Sequence, residues 1–212
     1  ILDWSMVKNN GYDYAMIRAG VRGYGINSQG IDGNLLADED FYNNVRGATS
    51  AGMKVGAYVF SQAINEQEAI EEANLVINMV NVAGGKNTFA MPIVFDSEFS
   101  GCKINGVRCG RADGLSKEQR TNIAIAFLET VKNAGYTPMI YASSSFLVDQ
   151  LDMNRLANYE VWVAHYGVSV PSYNGAYQMW QYTSTGSVPG ISGNVDLNEI
   201  YKQYWFVTYK DK

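Results

Sequence analysis

Charge of one sign, long apolar runs, histidine and cysteine are all scarce in this sequence. Charged residues make up only 17% of the 212, which excludes a disordered or coiled-coil chain. Lys and Arg number 16 against 21 Asp and Glu, a net charge of −5 with no basic stripe, so no nucleic-acid partner is expected. No run of about 18 apolar residues occurs, which argues against a membrane-spanning helix. The opening Ile1-Leu2-Asp3-Trp4-Ser5 is not a signal peptide; a signal has been removed, or export takes another route. There is one histidine, His165, and neither an H-E-x-x-H motif nor a cluster of metal ligands, so no metal or cofactor is expected. G-x-S-x-G is absent too, and His165 reads as a satisfied strand-end residue rather than a base.

The only two cysteines, Cys102 and Cys109, lie in one short loop, G-C-K-I-N-G-V-R-C-G. They can pair locally as a disulfide or stand as two free thiols; C-x6-C without a nearby histidine is a poor zinc site. Against these shortages, hydrophobic residues reach 47% and aromatics 13%, with 15 tyrosines. That supports one sizeable core, and no linker, repeat or low-complexity segment divides residues 1–212, so one domain is expected. Tyrosine pairs a flat apolar face with a hydroxyl, which suits a pocket for sugars or peptides as well as a core.

Short apolar runs recur at 14–20, 54–60, 91–96, 137–142, 160–166 and 177–182, with a last one near 193–198. Most are apolar at nearly every position, the mark of strands buried on both faces. Helical stretches separate the earlier ones. Ser116-Lys117-Glu118-Gln119 is a capping box, Ile123, Phe127 and Val131 recur on one face, and Gly135 marks the stop. Asn65-Glu66-Gln67-Glu68 opens a second helix running to Gly84-Gly85, and a third spans about 38–50. Strand followed by helix, repeated, predicts a parallel α/β sheet; the last strands follow one another with little helix between them.

One strand ends in two acids: Met91-Pro92-Ile93-Val94-Phe95-Asp96-Ser97-Glu98. Residues i and i+2 of a strand share a face, so Asp96 and Glu98 point one way and Ser97 the other. In parallel barrels the C-terminal strand ends carry the chemistry. Two close carboxylates cannot both ionise cheaply, so one keeps a proton near neutral pH. Glycosidic bond cleavage needs that pairing, one protonated acid for the leaving oxygen and one charged group for the developing cation. A helix cap or a metal-binding pair would use the same residues.

From about residue 3 to residue 200 the chain resembles glycoside hydrolase family 25, the Chalaropsis-type lysozymes that include phage endolysins and bacterial autolysins. The resemblance rests on D-W-S-M-V-K-N-N-G-Y-D-Y-A-M-I-R-A-G, K-V-G-A-Y-V-F-S, P-I-V-F-D-S-E, G-Y-T-P-M-I-Y-A-S, V-W-V-A-H-Y, M-W-Q-Y-T-S and G-N-V-D-L-N, in that order. It implies a flattened (β/α)5β3 barrel, TIM-like, that hydrolyses the β-1,4 bond between N-acetylmuramic acid and N-acetylglucosamine in peptidoglycan. It puts Glu98 at the general-acid position, Asp96 at that of the helper carboxylate, and Asp196 at a further active-site acid. The D-x-E arrangement is similar to substrate-assisted chitinase sites, where the first Asp supports the acetamido group. Tyr58, Tyr141, Trp180, Gln181, Tyr182 and Arg18 are the candidate substrate contacts, although aromatic core packing and, for Arg18, a structural ion pair are the competing roles. The implied partner is the peptidoglycan strand, met by a monomer outside the cell or at the wall, secreted or phage-released.

One feature departs from the pattern. Family members usually begin with a strand like G-I-D-V-S-x-W-Q-G, which carries an active-site Asp, and no such strand precedes Ile1. The sequence could be trimmed, the tail 204–212 could fill the gap, or the protein could be an inactive relative that only binds glycan. Asp3 reads as a helix N-terminal residue rather than the absent acid. Chitin is the rival substrate.

Overall fold

A computed structural model describes residues 3–23 and 33–204; residues 205–212 of the tail weighed above lie outside them. The chain opens with α1 (Trp4–Asn9), capped by Asp3, whose carboxylate accepts from the Met6 amide at 2.9 Å. There follow β1 (Tyr14–Arg22), β2 (Leu35–Ala37), α2 (Phe41–Ser50), β3 (Lys54–Ser61), α3 (Glu66–Val82) and β4 (Ile93–Ser97). The second half holds β5 (Lys103–Ile104), β6 (Val107–Arg108), α4 (Lys117–Asn133), β7 (Pro138–Ser143), α5 (Ser144–Gln150), β8 (Glu160–Ala164), β9 (Met179–Gly186) and β10 (Val195–Ile200). No helix among the described residues is long and apolar enough to cross a membrane.

Eight strands make one sheet in the order β10-β9-β8-β7-β4-β3-β1-β2. The ladders from β1 through β3, β4, β7 and β8 to β9 are parallel, while β2 and β10 run antiparallel at the two edges. The sheet curls until its ends meet: the Tyr14 hydroxyl on β1 donates to the Asn198 carbonyl on β10 at 2.8 Å. Among the described residues no ladder joins those two strands, so the result is a curled, mostly parallel half-barrel.

Alternation along the strands sorts the core. Outward residues such as Val55, Ile93, Phe95, Ile140 and Val163 pack under the helices with Val76, Val80, Phe127 and Leu128. Inward residues Met91, Val94, Met139, Tyr141, Trp162 and Met179 form a smaller cluster inside the curl. The helices start where their caps are written. Ser116 and Gln119 make the reciprocal capping box of α4, and Asn65 accepts from the Glu68 amide at 2.9 Å to start α3. Gly135, at φ 80°, ends the α4 turn in the left-handed region, where a Cβ would be strained.

The sequence reading passed over β2, α5 and the β5–β6 hairpin. That hairpin turns on Asn105 and Gly106, both at positive φ, which is the backbone a two-residue turn demands. A disulfide between Cys102 and Cys109 closes its base.

Candidate active site

The inward row of the sheet sets the site. Phe60 on β3 pairs with Asp96 on β4, Asp96 with Tyr141 on β7, and Tyr141 with Trp162 on β8. Glu98 follows two residues after Asp96 on the same side. Ser97 pairs with Ser61 on β3 and is buried. Asp96, Glu98, Tyr58, Tyr141, Trp162 and Gln181 all line one cavity of about 410 Å³, and Asp196 lines it from β10. The β9–β10 register shifts between Val195 and Leu197, a bulge that leaves Asp196 out of the ladder and free to aim at the cavity.

Asp96 and Glu98 stand close enough to perturb each other, and both carboxyls are pushed above the ordinary carboxylate range. For each the main cause is burial; Asp96 adds the charge of Glu98, and Asp196 raises both. Arg18 pulls the other way on Asp96. Two such neighbouring acids titrate as a pair, the ionisation of one depending on the state of the other. Asp196 is itself raised by burial. The Oδ1 atom of Asp96 is buried and meets no protein partner.

Around the acids, Tyr141 donates to Gln181 Oε1 at 2.8 Å, and Tyr166 donates to the same oxygen. Gln181 thus ties β7, β9 and the loop after β8 into one wall. Arg18 is exposed, its Nε donating to Asp38 at 2.7 Å, and it borders a second depression of about 420 Å³ with Tyr58, Phe60, Asp96, Glu98 and Phe99. A third depression of about 380 Å³ continues past Glu98 along Ser143, Ser144, Ser145, His165, Tyr166 and Ser172. Glu98 borders all three. His165 is satisfied, its Nδ1 accepting from the Ser172 amide at 3.0 Å.

Trp180 and Tyr182 do not join the site. Strand alternation turns them outward: Trp180 is buried in the layer under the helices, donating to the His165 carbonyl at 2.9 Å, and Tyr182 packs against it. Gln181 between them is the inward residue. The sequence reading missed Trp162, whose Nε1 donates to Asn198 at 2.9 Å, and Tyr14 and Tyr166. Pairing with Tyr141 one strand over could have marked Trp162, because aligned parallel strands put equal positions on one face. Among the described residues no group of three or more His, Cys, Asp or Glu is placed to hold a metal ion.

Coupled acids at the C-terminal edge of a curled parallel sheet, opposed by a third carboxylate across an open groove, define a glycosidase-like class of site. The chain belongs to Glycosyl hydrolases family 25, whose match covers residues 1–191. It is 27% identical over 199 residues to the autolytic lysozyme of Clostridium acetobutylicum, and 30% identical over 207 residues to lysozyme M1 of Streptomyces globisporus. Each alignment covers 94% of this chain but only 52% and 63% of those relatives' own lengths. The crystal structure of a bacterial lysozyme from Streptomyces coelicolor superposes with a TM-score of 0.71 at 28% identity, covering 95% of this chain and 87% of that one.

Proposed function

We propose that residues 1–212 form a single catalytic domain that hydrolyses the β-1,4 bond between N-acetylmuramic acid and N-acetylglucosamine in peptidoglycan. The observation that carries this reading is the adjacent pair of acids, Asp96 buried and Glu98 half-buried, with Glu98 bordering three depressions around it. Glu98, the less buried of the two, donates the proton to the leaving oxygen. Asp96 lines the same cavity beside it, which suits it to take the N–H of the substrate's acetamido group and hold that group against the anomeric carbon. Asp196 contributes negative charge opposite the developing cation. Tyr58, Tyr141 and Gln181 line the sugar path, and Arg18 meets polar groups at one end of it. The protein acts as a monomer at the cell wall or outside the cell, after secretion or release by a phage. The lysozyme names of its relatives support this reading.

Digestion of purified peptidoglycan with analysis of the new reducing ends tests it. Reducing ends at N-acetylmuramic acid are expected. Glu98→Gln should lower turnover at least ~100-fold with an unchanged circular dichroism spectrum, and Asp96→Asn should lose most activity. Full activity in Glu98→Gln would remove the assignment. Cleavage of soluble chitin oligomers but not of peptidoglycan would transfer the site to chitin, and binding without products would make the chain a glycan-binding relative.

A further inference from the structure

Glu98 stands beyond the strand that delivers it. The β3–β4 ladder ends at Ser61 and Ser97, and the β4–β7 ladder ends at Asp96 and Tyr141. The backbone of the acid therefore needs another anchor, and Gln62 supplies one. Gln62 follows the last residue of β3 and is 1% exposed. Its Nε2 donates to the Glu98 carbonyl at 3.2 Å.

Gln62 is itself clamped. Its main-chain carbonyl accepts from Arg111 Nη1 at 3.0 Å. Arg111 in turn meets Glu68 through two parallel bonds of 2.6 and 2.9 Å, a fork that fixes its direction. Glu68 also accepts from the Ile64 amide at 3.0 Å, so the short segment leaving β3 is held on two sides. Meanwhile the Gln62 Oε1 atom is buried with no partner. An amide satisfied on one side only is a poor choice for packing, because its unpaired oxygen has lost its water.

We infer that Gln62 is a positioning residue for Glu98, holding the carbonyl of the acid so that its carboxyl stays against Asp96 and in line with the groove. The inference rests on the proposed hydrolytic role of Glu98 and names a group that acts through it. Arg111 and Glu68 act one step further out, by holding Gln62.

The test compares wild type with Gln62→Met and Gln62→Glu. Three quantities are read: kcat and KM on peptidoglycan fragments, the titration of the Glu98 carboxyl by carbon NMR, and thermal unfolding. Gln62→Met keeps the length and removes the donor. Its kcat should fall about 10- to 100-fold through misplacement of the acid. Its KM should stay within about twofold, since substrate contacts are intact. The Glu98 titration should move as its contact with Asp96 loosens. Gln62→Glu can donate to the carbonyl only while protonated, so its kcat relative to wild type should recover at low pH and decline as pH rises. Wild-type kcat with an unmoved Glu98 titration in either folded variant would overturn the inference. If Gln62→Met fails to fold, Gln62→Glu and Glu68→Gln carry the same decision, the latter by releasing Arg111. If the wild-type protein releases no products, the hydrolase reading fails, while the NMR titration still decides whether Gln62 sets Glu98.

Discussion

Asp196 faces the Asp96–Glu98 pair across the cavity, and its charge raises both carboxyls. Asp196→Asn removes that charge and keeps the shape. Both carboxyls should then ionise at a lower pH, so the alkaline limb of kcat/KM against pH should move to lower pH. An unmoved limb would show that Asp196 acts on substrate alone. The acids were legible in the sequence because i and i+2 must share a strand face, whichever strand it is. Met179-Trp180-Gln181-Tyr182 was only half legible. Alternation separates Gln181 from its aromatic neighbours, but both faces of this sheet are buried, so nothing in the residues says which one turns inward. The aromatic side went to the layer under the helices, and the polar residue went to the site.

The longer elements announced themselves through caps and stops, as Ser116 and Gln119 do for α4 and Asn65 for α3. The short ones did not. α5 depends on Ser143, which accepts from the Phe146 amide at 3.2 Å within a serine run that reads as loop. Two-residue strands such as β5 and β6 are too brief for any periodicity, and only the Asn105-Gly106 turn signals them. Between elements, Gly47 fixes how α1 lies on α2: a Cβ there would come within 2.2 Å of Trp4 Cδ1 and 3.1 Å of Trp4 Cγ. Alanine would improve helix propensity by about 1 kcal/mol. Overpacking against the indole costs roughly 1–3 kcal/mol, so Gly47→Ala should lower stability by about 1 kcal/mol, read as a lower urea midpoint at unchanged slope. A midpoint equal to or above wild type would mean that the indole gives way freely.

At the scale of the whole molecule, the succession of the longer strands and helices along the chain and the resemblance from residue 3 to residue 200 were readable, because each motif is local. The buried ionic cluster was not, because its members, Arg22, Glu68, Glu72 and Arg111, are spread over 90 residues and meet only when β1, α3 and the loop after β6 are packed. Glu72 lies deepest, fully buried, its Oε1 accepting from Arg22 Nε at 2.8 Å and its Oε2 without a partner. Burial pushes its carboxyl up to about 7 from an ordinary 4.5, and Ser61 and Arg22 only partly offset that. The folded protein therefore holds this proton more tightly than the unfolded chain does. Its contribution favours the folded state at low pH and fades as pH rises from about 4.5 through about 7. Glu72→Gln keeps a neutral side chain at every pH. The difference in unfolding free energy, wild type minus Glu72→Gln, should decline across that window and level off above it, measured by urea denaturation at a series of pH values. A difference that stays constant from pH 4.5 to pH 8 would mean that Glu72 is ionised throughout, with Arg22 fully compensating its burial. A difference that grows with pH would mean that the Arg22 pair outweighs desolvation and that the cluster works as an ordinary salt bridge.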